Sequence, residues 1–223
     1  MNVQEALALL ERHGQAKVRA YNVRDGADDN QFGVKLGDIR TIARTIKADH
    51  ELGLALWQTG NLDAMLLATL ILCPKLLSTA QLEQMVARAE VVQLAEWLTS
   101  YVVKQRPDKE DLRLRWMQSG HPMLARAGWS LTAERIAKHP DGLDLDALLD
   151  RLDREMGGAP APTQWTMNFC LAEIGIRSAA RRERAIAIGE RLGLYRDYPT
   201  SKGCTSPFAP IWIREMVSRQ AAA

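Results

Sequence analysis

The sequence has few of the residues that bind metal ions or build disulfide frameworks. Its 223 residues include only three cysteines, Cys73, Cys170 and Cys204, which lie far apart, and four histidines without a ligand-spaced pair. An odd, sparse cysteine count without a CxxC motif argues against a disulfide framework and against a zinc site. We therefore predict no metal and no cofactor, and a cytoplasmic location, where thiols stay reduced.

Long apolar runs and the common catalytic motifs are also missing. No run of about 18 apolar residues occurs, so no membrane span is expected. The N-terminal segment carries Glu5 and Glu11 and no basic start, which indicates a first helix and not a signal peptide. The sequence contains no P-loop, no GxSxG motif and no HExxH motif. Cys204 has no histidine near it in the sequence, so we do not expect a reactive thiol.

Charge is distributed unevenly, although the net charge is only +2. Residues 141–155 hold six acidic and two basic residues. Residues 104–138 hold eight basic and four acidic residues, and residues 177–219 hold nine basic and four acidic residues. Two basic segments around an acidic one could form a basic face for nucleic acid. Ordinary solvated helix faces are the alternative.

Helical periodicity dominates the sequence, and no segment shows the sustained alternation of a β-strand. Pro122 and Pro162 fit the first turns of helices, and Gly193 fits a helix end. Short connections are typical of antiparallel helix pairs. Twelve helices are predicted, near residues 2–13, 35–48, 50–59, 62–72, 79–90, 91–105, 109–118, 122–138, 144–156, 162–177, 180–192 and 209–220.

A weak internal repeat indicates how these helices are arranged. At a spacing of 40 residues, Pro122 aligns with Pro162 and Trp129 aligns with Phe169. Such a spacing is typical of HEAT and armadillo units, which stack to bury their apolar stripes. We predict an all-α, HEAT- or armadillo-like helical-repeat superhelix, a solenoid of about twelve helices that forms a single domain over residues 1–223.

An irregular loop at residues 194–208 precedes the last predicted helix. It holds two tyrosines, two prolines and a glycine, and it interrupts the helical pattern. One interpretation is a loop that packs back on the last helices. The other is a lid that contacts phosphate through Arg196 and Lys202.

Several segments, by their order and spacing, resemble the AlkD-like family of DNA alkylation repair proteins over roughly residues 30–192. These segments are Phe32-Gly33-Val34 with Asp38-Ile39-Arg40, the helix pair from Ala55-Leu56-Trp57 to Pro74-Lys75, Arg126-Ala127-Gly128-Trp129, and Asn168-Phe169-Cys170-Leu171. The resemblance implies a HEAT-like fold with a concave basic surface for double-stranded DNA. It also implies a DNA glycosylase that excises N3- or N7-alkylated purines without the base flipping that most glycosylases use.

The candidate catalytic residue is Glu96. Loss of an alkylated purine passes through an oxocarbenium-like transition state, which a nearby carboxylate can stabilise. In the predicted helix 91–105, Glu96 lies nearly opposite the apolar stripe that contains Leu94 and Leu98, and it falls where the family's motif ends in its acid. A plain solvated position is the alternative. Active members have Asp at this place, and Val92 replaces their aromatic residue one turn earlier.

The resemblance assigns DNA backbone contact to Arg126 and an aromatic surface to Phe169, which stands where the family has tryptophan. A guanidinium binds phosphate oxygens in a fork, and aromatic faces attract a cationic base. Trp97 and Trp129 are further aromatic candidates. Arg177 and Arg181 are further candidates for phosphate contact.

Each of these residues also has a structural interpretation. Arg126 could form a salt bridge to a neighbouring helix, Phe169 could fill a second packing layer, and Arg177 and Arg181 could belong to a solvated face. Ala172 stands where the family has a second arginine, so one phosphate contact is missing.

Three functions are compatible with the sequence. The first is a monomeric glycosylase that acts on alkylated duplex DNA. The second is a nucleic-acid-binding HEAT-repeat protein with weakened or no catalysis, and the third is a protein-interaction scaffold. The changes at Val92, Glu96, Phe169 and Ala172 shift the expectation toward the second function, but the remaining acid, arginine and ring keep the first function ahead.

Overall fold

The computed structural model describes residues 1–222, in which the regular elements are all helices and no β-strand occurs beyond an isolated bridge between Gly14 and Val34. The all-α prediction is therefore confirmed. The thirteen α-helices of residues 1–222 are α1 (Val3–Arg12), α2 (Ala16–Arg24), α3 (Leu36–Ile46), α4 (His50–Gln58), α5 (Leu62–Ile71), α6 (Thr79–Arg88), α7 (Val92–Tyr101), α8 (Lys109–Trp116), α9 (Pro122–Lys138), α10 (Leu145–Glu155), α11 (Ala161–Arg177), α12 (Arg182–Leu192) and α13 (Ala209–Ala221).

The helices form two compact units, one from Met1 to Lys109 and the other from Glu110 onward. The first unit contains α1 to α7, and the second contains α9 to α13 and nearly all of α8. The single domain over residues 1–223 stays a prediction, and its last residue lies outside the described residues.

All twelve predicted helices are present, and α2 is the helix that the apolar periodicity did not predict. None of its nine residues is buried, so it has no apolar stripe and no helical pattern in the sequence. Its N-cap residue, Gln15, gives no side-chain cap. Instead, the helix begins at a backbone contact, in which the amide of Gln15 donates to the carbonyl of Gly33 at 3.0 Å.

A buried carboxylate fixes the loop that connects α2 to α3. Asp63, in the first turn of α5, is 0% exposed. It accepts hydrogen bonds from the backbone amides of Phe32 at 2.6 Å, Gly33 at 3.0 Å and Val34 at 2.9 Å. Gly33 has φ +78°, and a Cβ there would lie 2.6 Å from the backbone nitrogen of Arg19. Only a glycine therefore lets α2 approach this loop.

A partly buried ion pair lies at the end of the first unit. The guanidinium of Arg106 donates to both carboxylate oxygens of Asp108 at 2.8 Å and also to the carbonyls of Pro74 and Leu77. This side-chain hydrogen bond lowers the pKa of Asp108 below its ordinary range. Arg106 thus connects the chain after α7 to the turn between α5 and α6.

In the second unit, α9 and α11 lie side by side and run in the same direction, and each has 17 residues. The hydroxyl of Thr163 donates to the carbonyl of Pro122 at 2.9 Å near their starts, and the thiol of Cys170 donates to the carbonyl of Trp129 at 3.1 Å farther along. Residues 41 apart therefore meet, close to the spacing of the predicted repeat. Burial raises the pKa of the Cys170 thiol well above its ordinary value, so this cysteine acts in packing.

A glycine permits the close contact between α9 and the end of α8. A Cβ at Gly128 would lie 2.5 Å from the backbone nitrogen of Met117 and 2.7 Å from the carbonyl carbon of Trp116. Both neighbours are backbone atoms, which cannot rotate away. Gly128 is thus a packing residue of the segment that resembles the DNA alkylation repair family.

The loop after α12 packs against the helices of its own unit. The ring of Tyr195 contacts Trp165 at 5.1 Å between centroids, and the side chain of Asn168 donates to the carbonyl of Pro207 at 2.9 Å. Burial raises the pKa of Tyr195. These contacts agree with the interpretation of a loop that folds back on the last helices.

Arg196 is held by contacts inside the second unit. Its guanidinium donates to the carbonyl of Glu190 at 3.1 Å and to the carboxylate of that residue at 3.0 Å. It also lies 4.5 Å from the centre of the Phe208 ring. Lys202 is exposed. Of the two residues predicted for a phosphate-binding lid, only Lys202 thus stays at the surface without such contacts.

Candidate nucleic-acid interface

The candidate carboxylate, Glu96, lies in the middle of α7 in the first unit. The apolar residues Leu94 and Leu98 are buried, as the helical pattern predicts. Glu96 is partly exposed and shares its side of the helix with Val92, one turn earlier, which is 57% exposed. The helix thus presents a carboxylate beside a small apolar side chain where the family pattern has an aromatic ring.

Trp97 does not present a free ring to a ligand. It is 4% exposed, and the guanidinium of Arg40 lies 4.4 Å from its ring centre. Tyr101 packs edge-on at 5.5 Å and accepts a long hydrogen bond from Arg40 at 3.5 Å. Trp97 therefore serves as a cation–π partner that fixes Arg40 on the neighbouring helix α3.

Helix α3 and its C-cap residue carry a basic ridge that consists of Arg40, Arg44 and Lys47. Arg40 and Arg44 are four positions apart, so they lie on one side of the helix, and Lys47 is the C-cap residue directly after it. Arg44 and Lys47 are exposed, and within residues 1–222 neither forms an ion pair. Lys47 has φ 65° and ψ −160°, a backbone conformation that side-chain-bearing residues rarely adopt. Arg44 and Lys47 are therefore available to bind anions from solution.

Two of the predicted DNA contacts are buried in the second unit. Arg126 is 2% exposed and Trp129 is 1% exposed. The guanidinium of Arg151 lies 5.0 Å from the centre of the Trp129 ring, and it donates to Glu155 at 2.7 Å. A bound duplex could reach Arg126 or Trp129 only if the surrounding side chains moved.

Phe169 belongs to a cluster of five aromatic rings in the second unit. Its ring meets Trp212 edge-on at 4.8 Å and Trp165 at 5.6 Å. Trp165 also contacts Tyr195 and Tyr198, and Tyr198 is 49% exposed. Most of the Phe169 ring is used for packing, so the cluster attaches the loop and α13 to α11 and leaves Tyr198 as its exposed edge.

The predicted phosphate contacts Arg177 and Arg181 are exposed or partly exposed, and both are paired. Arg177 pairs with Glu173 at 3.2 Å on the same helix, a solvent-exposed contact of little strength. Arg181 donates to Asp146 of α10 from Nε at 3.0 Å and from Nη2 at 2.6 Å. This hydrogen bond lowers the pKa of Asp146 and raises that of Arg181.

Further ion pairs extend this contact into a ladder between α10 and α12. Arg184 contacts Asp150 and also Asp146 at 3.5 Å, and Arg191 contacts Asp153. The acidic segment 141–155 and part of the basic segment 177–219 therefore neutralise each other. The charge counts of the sequence do not reveal this pairing, because it depends on which helices are neighbours.

The sequence-predicted residues fall into both units. Glu96 and Trp97 belong to the first unit, and Arg126, Trp129, Phe169, Arg177 and Arg181 belong to the second. The interpretation missed the basic ridge of α3, although the spacing of Arg40, Arg44 and Lys47 was a signal for it. It also missed Trp212, whose contact with Phe169 depends on the packing of α13 against α11.

Within residues 1–222, no three histidine, cysteine or acidic side chains are grouped closely enough to hold a metal ion. None of the helices in this range has both the length and the apolar character needed to cross a membrane.

Comparison with solved structures identifies the type of fold. A protein from "a new family of proteins related to the HEAT-like repeat DNA glycosylases with affinity for branched DNA structures" matches with a TM-score of 0.81 and 24% identity. The match covers 99% of this chain and 95% of that protein. The chain is therefore an all-α protein of the HEAT-like repeat type, which confirms the predicted fold class.

The family follows from the sequence. The model of the family described as "DNA alkylation repair enzyme" matches residues 3–212, and the chain belongs to this family. The uncharacterised protein Lin0241 of Listeria innocua is 27% identical over 96% of this chain and 95% of its own length. The uncharacterised protein Lmo0209 of Listeria monocytogenes is 26% identical over the same shares. The resemblance inferred from the motifs is confirmed.

Proposed function

We propose that this protein binds DNA during the repair of alkylation damage and favours branched DNA over an intact duplex. The observation that carries the proposal is the basic ridge of α3, where Arg44 and Lys47 are exposed and form no ion pair within residues 1–222. Membership in the DNA alkylation repair family supports DNA as the polyanion. The structurally similar protein is described as having affinity for branched DNA.

The ridge suits a phosphate backbone because its first cation is held in place. Arg40 lies over Trp97 and contacts Tyr101, so its guanidinium has a defined position. Arg44 lies one turn farther along the same side of α3, and Lys47 follows directly after the helix. Each cation that neutralises a phosphate releases a counterion, and affinity then falls as the salt concentration rises.

The test compares two double variants with equal loss of charge. Arg44→Gln with Lys47→Gln removes the ridge, and Arg12→Gln with Lys75→Gln removes two exposed cations elsewhere in the first unit. Binding to an intact duplex and to a three-way junction is measured between about 50 and 200 mM salt. A plot of log affinity against log salt has a negative slope, to which each phosphate contact contributes about −0.9. We expect the ridge variant to make this slope less steep by about 2.

The control variant, Arg12→Gln with Lys75→Gln, is expected to reduce the steepness of this slope by less than half as much. Equal slopes for both double variants would remove the ridge as a DNA contact. Failure of the wild-type chain to bind either DNA would refute the proposed function and favour a protein-interaction scaffold. A junction affinity no higher than the duplex affinity would refute the preference for branched DNA.

A second candidate function is excision of N3- or N7-alkylated purines from duplex DNA. The observation in its favour is the partly exposed carboxylate of Glu96 in the middle of α7. In this function Glu96 stabilises the oxocarbenium-like transition state, and the ring of Phe169 and the guanidinium of Arg126 help to hold the DNA. The covered rings of Trp97 and Trp129 and the buried Arg126 argue for weaker catalysis than the family pattern implies. For either function, we propose that the protein acts as a monomer in the cytoplasm.

A further inference from the structure

Helix α2 presents a stripe that consists of Lys17, Tyr21 and Arg24. The three residues are four and three positions apart, so they occupy one side of the helix. The Nζ of Lys17 lies 6.0 Å and the guanidinium of Arg24 lies 5.1 Å from the centre of the Tyr21 ring. Tyr21 is 46% exposed. The stripe is therefore an exposed ring between two cations.

The attachments of α2 to its unit leave from its other side. The amide of Asn22 donates to Gln31 at 2.8 Å, and the guanidinium of Arg19 donates to Asp29 at 2.9 Å. These positions lie roughly 100° to 160° around the helix from Tyr21, at about 100° per residue. The helix is thus held by its start and by one side, and the stripe has no structural task within the first unit.

A helix of nine residues is marginally stable by itself, and packing of an apolar side normally supports it. α2 has no buried residue and depends on the loop that Asp63 clamps. This arrangement holds the backbone in place while leaving the side chains of the stripe free for a partner.

The charge of α2 identifies a polyanionic partner. The helix contains three cations and no acidic residue. Arg19 is paired with Asp29, whereas Arg24 forms a highly exposed pair with Asp25 at 3.3 Å, so Lys17 and Arg24 are the cations that can bind an anion. The exposed tyrosine ring adds a stacking surface. Bases inside a duplex already stack on each other, so only an unpaired base can offer its face to such a ring.

We propose that α2 recognises an unpaired nucleotide at a DNA branch, with Tyr21 stacked on the base and with Lys17 and Arg24 on the flanking phosphates. The Cα atoms of Lys17 and Arg24 lie about 10 Å apart along the helix axis, and their charged groups lie near the ring of Tyr21, so they can bracket a stacked nucleotide. This inference rests on the proposed function and names the feature of branched DNA that the protein recognises.

The experiment measures affinity by fluorescence anisotropy for an intact duplex and for the same duplex with a single-stranded branch. Tyr21→Ala removes the ring, Tyr21→Phe keeps it, and Val23→Ala removes an exposed apolar side chain from the other side of α2. We expect Tyr21→Ala to weaken branch binding about 5- to 100-fold, with less than a twofold change for the duplex, because stacking acts only on an unpaired base. Tyr21→Phe and Val23→Ala should bind like the wild type.

The double variant Lys17→Gln with Arg24→Gln should make the negative slope of log affinity against log salt for the branched DNA less steep by about 1.4, at about 0.7 per single-strand contact. Wild-type branch affinity in Tyr21→Ala, or an equal loss in Val23→Ala, would overturn the inference. If the ridge variant Arg44→Gln with Lys47→Gln loses affinity while the α2 variants do not, the inference fails and the proposed function stands. If the wild-type chain binds neither DNA, both fail.

Discussion

Arg181 donates two hydrogen bonds to one carboxylate oxygen of Asp146, from Nε at 3.0 Å and from Nη2 at 2.6 Å. A guanidinium in such a contact can bind a phosphate only after it leaves its partner. The carboxylate on α10 therefore decides whether the basic segment around Arg181 contributes to DNA binding.

We predict that Asp146→Ala strengthens DNA binding about two- to fivefold at about 50 mM salt and steepens the salt dependence, because Arg181 becomes free to neutralise a phosphate. Arg181→Ala alone should change the affinity less than twofold. The double variant Asp146→Ala with Arg181→Ala should lose the gain. An unchanged or weaker affinity for Asp146→Ala, measured by anisotropy over a salt series, would exclude Arg181 from the interface.

The fold could be predicted from the sequence because most helices bury an apolar stripe, which leaves a period in the sequence. α2 shows where this fails, since it is held by the backbone of Gly33 and buries no side chain. The aromatic and charged residues of the site were found by type and spacing. Their exposure could not be predicted in this way, because Arg40 covers Trp97 and Arg151 covers Trp129 only when two separate helices pack together.

The clamp formed by Asp63 gives a stability prediction. Asp63→Asn replaces one carboxylate oxygen by an amide group that faces backbone N–H donors and cannot accept from them. We expect a loss of about 2–4 kcal/mol in the free energy of unfolding, because buried donors lose their charged acceptor. The matched control is Asp49→Asn at the N-cap of α4, where asparagine caps as well as aspartate and should change stability by less than about 0.5 kcal/mol. Urea unfolding followed by circular dichroism measures both, and equal midpoints would contradict the role of Asp63.

Replacement of Lys47 should change the stability of the protein and its affinity for DNA in opposite directions. A residue with a side chain at φ 65° and ψ −160° is strained, at a cost of about 1–3 kcal/mol, and glycine relieves most of this strain. We predict that Lys47→Gly raises the free energy of unfolding by about 1 kcal/mol and weakens DNA binding, since it removes a cation of the ridge.

Lys47→Ala separates the two effects, because it removes the cation and keeps the strain. It should bind DNA as weakly as Lys47→Gly and unfold like the wild type. Thermal unfolding and anisotropy on the same samples provide the comparison. A Lys47→Gly protein that is less stable than the wild type would show that this conformation holds no strain.

The carboxylate of Glu96 decides between a binding protein and an enzyme. If Glu96 stabilises an oxocarbenium-like transition state, wild-type protein releases methylated purines from alkylated duplex DNA, and Glu96→Gln lowers the rate at least about 100-fold, as loss of a preorganised electrostatic group does. Glu90→Gln, with the same change of charge at an exposed position before α7, should keep the wild-type rate. Glu96→Asp places the acid one methylene closer to the helix, as in the family pattern, and should retain activity within about tenfold.

Base release is measured by chromatography of the freed purines, and DNA affinity is measured for each variant in parallel. A loss of release with unchanged affinity assigns Glu96 to the chemical step, because a residue needed only for folding or binding would lower both. Equal release by wild type and Glu96→Gln would remove this residue from the reaction. The remaining function would then be the recognition of DNA through the ridge of α3.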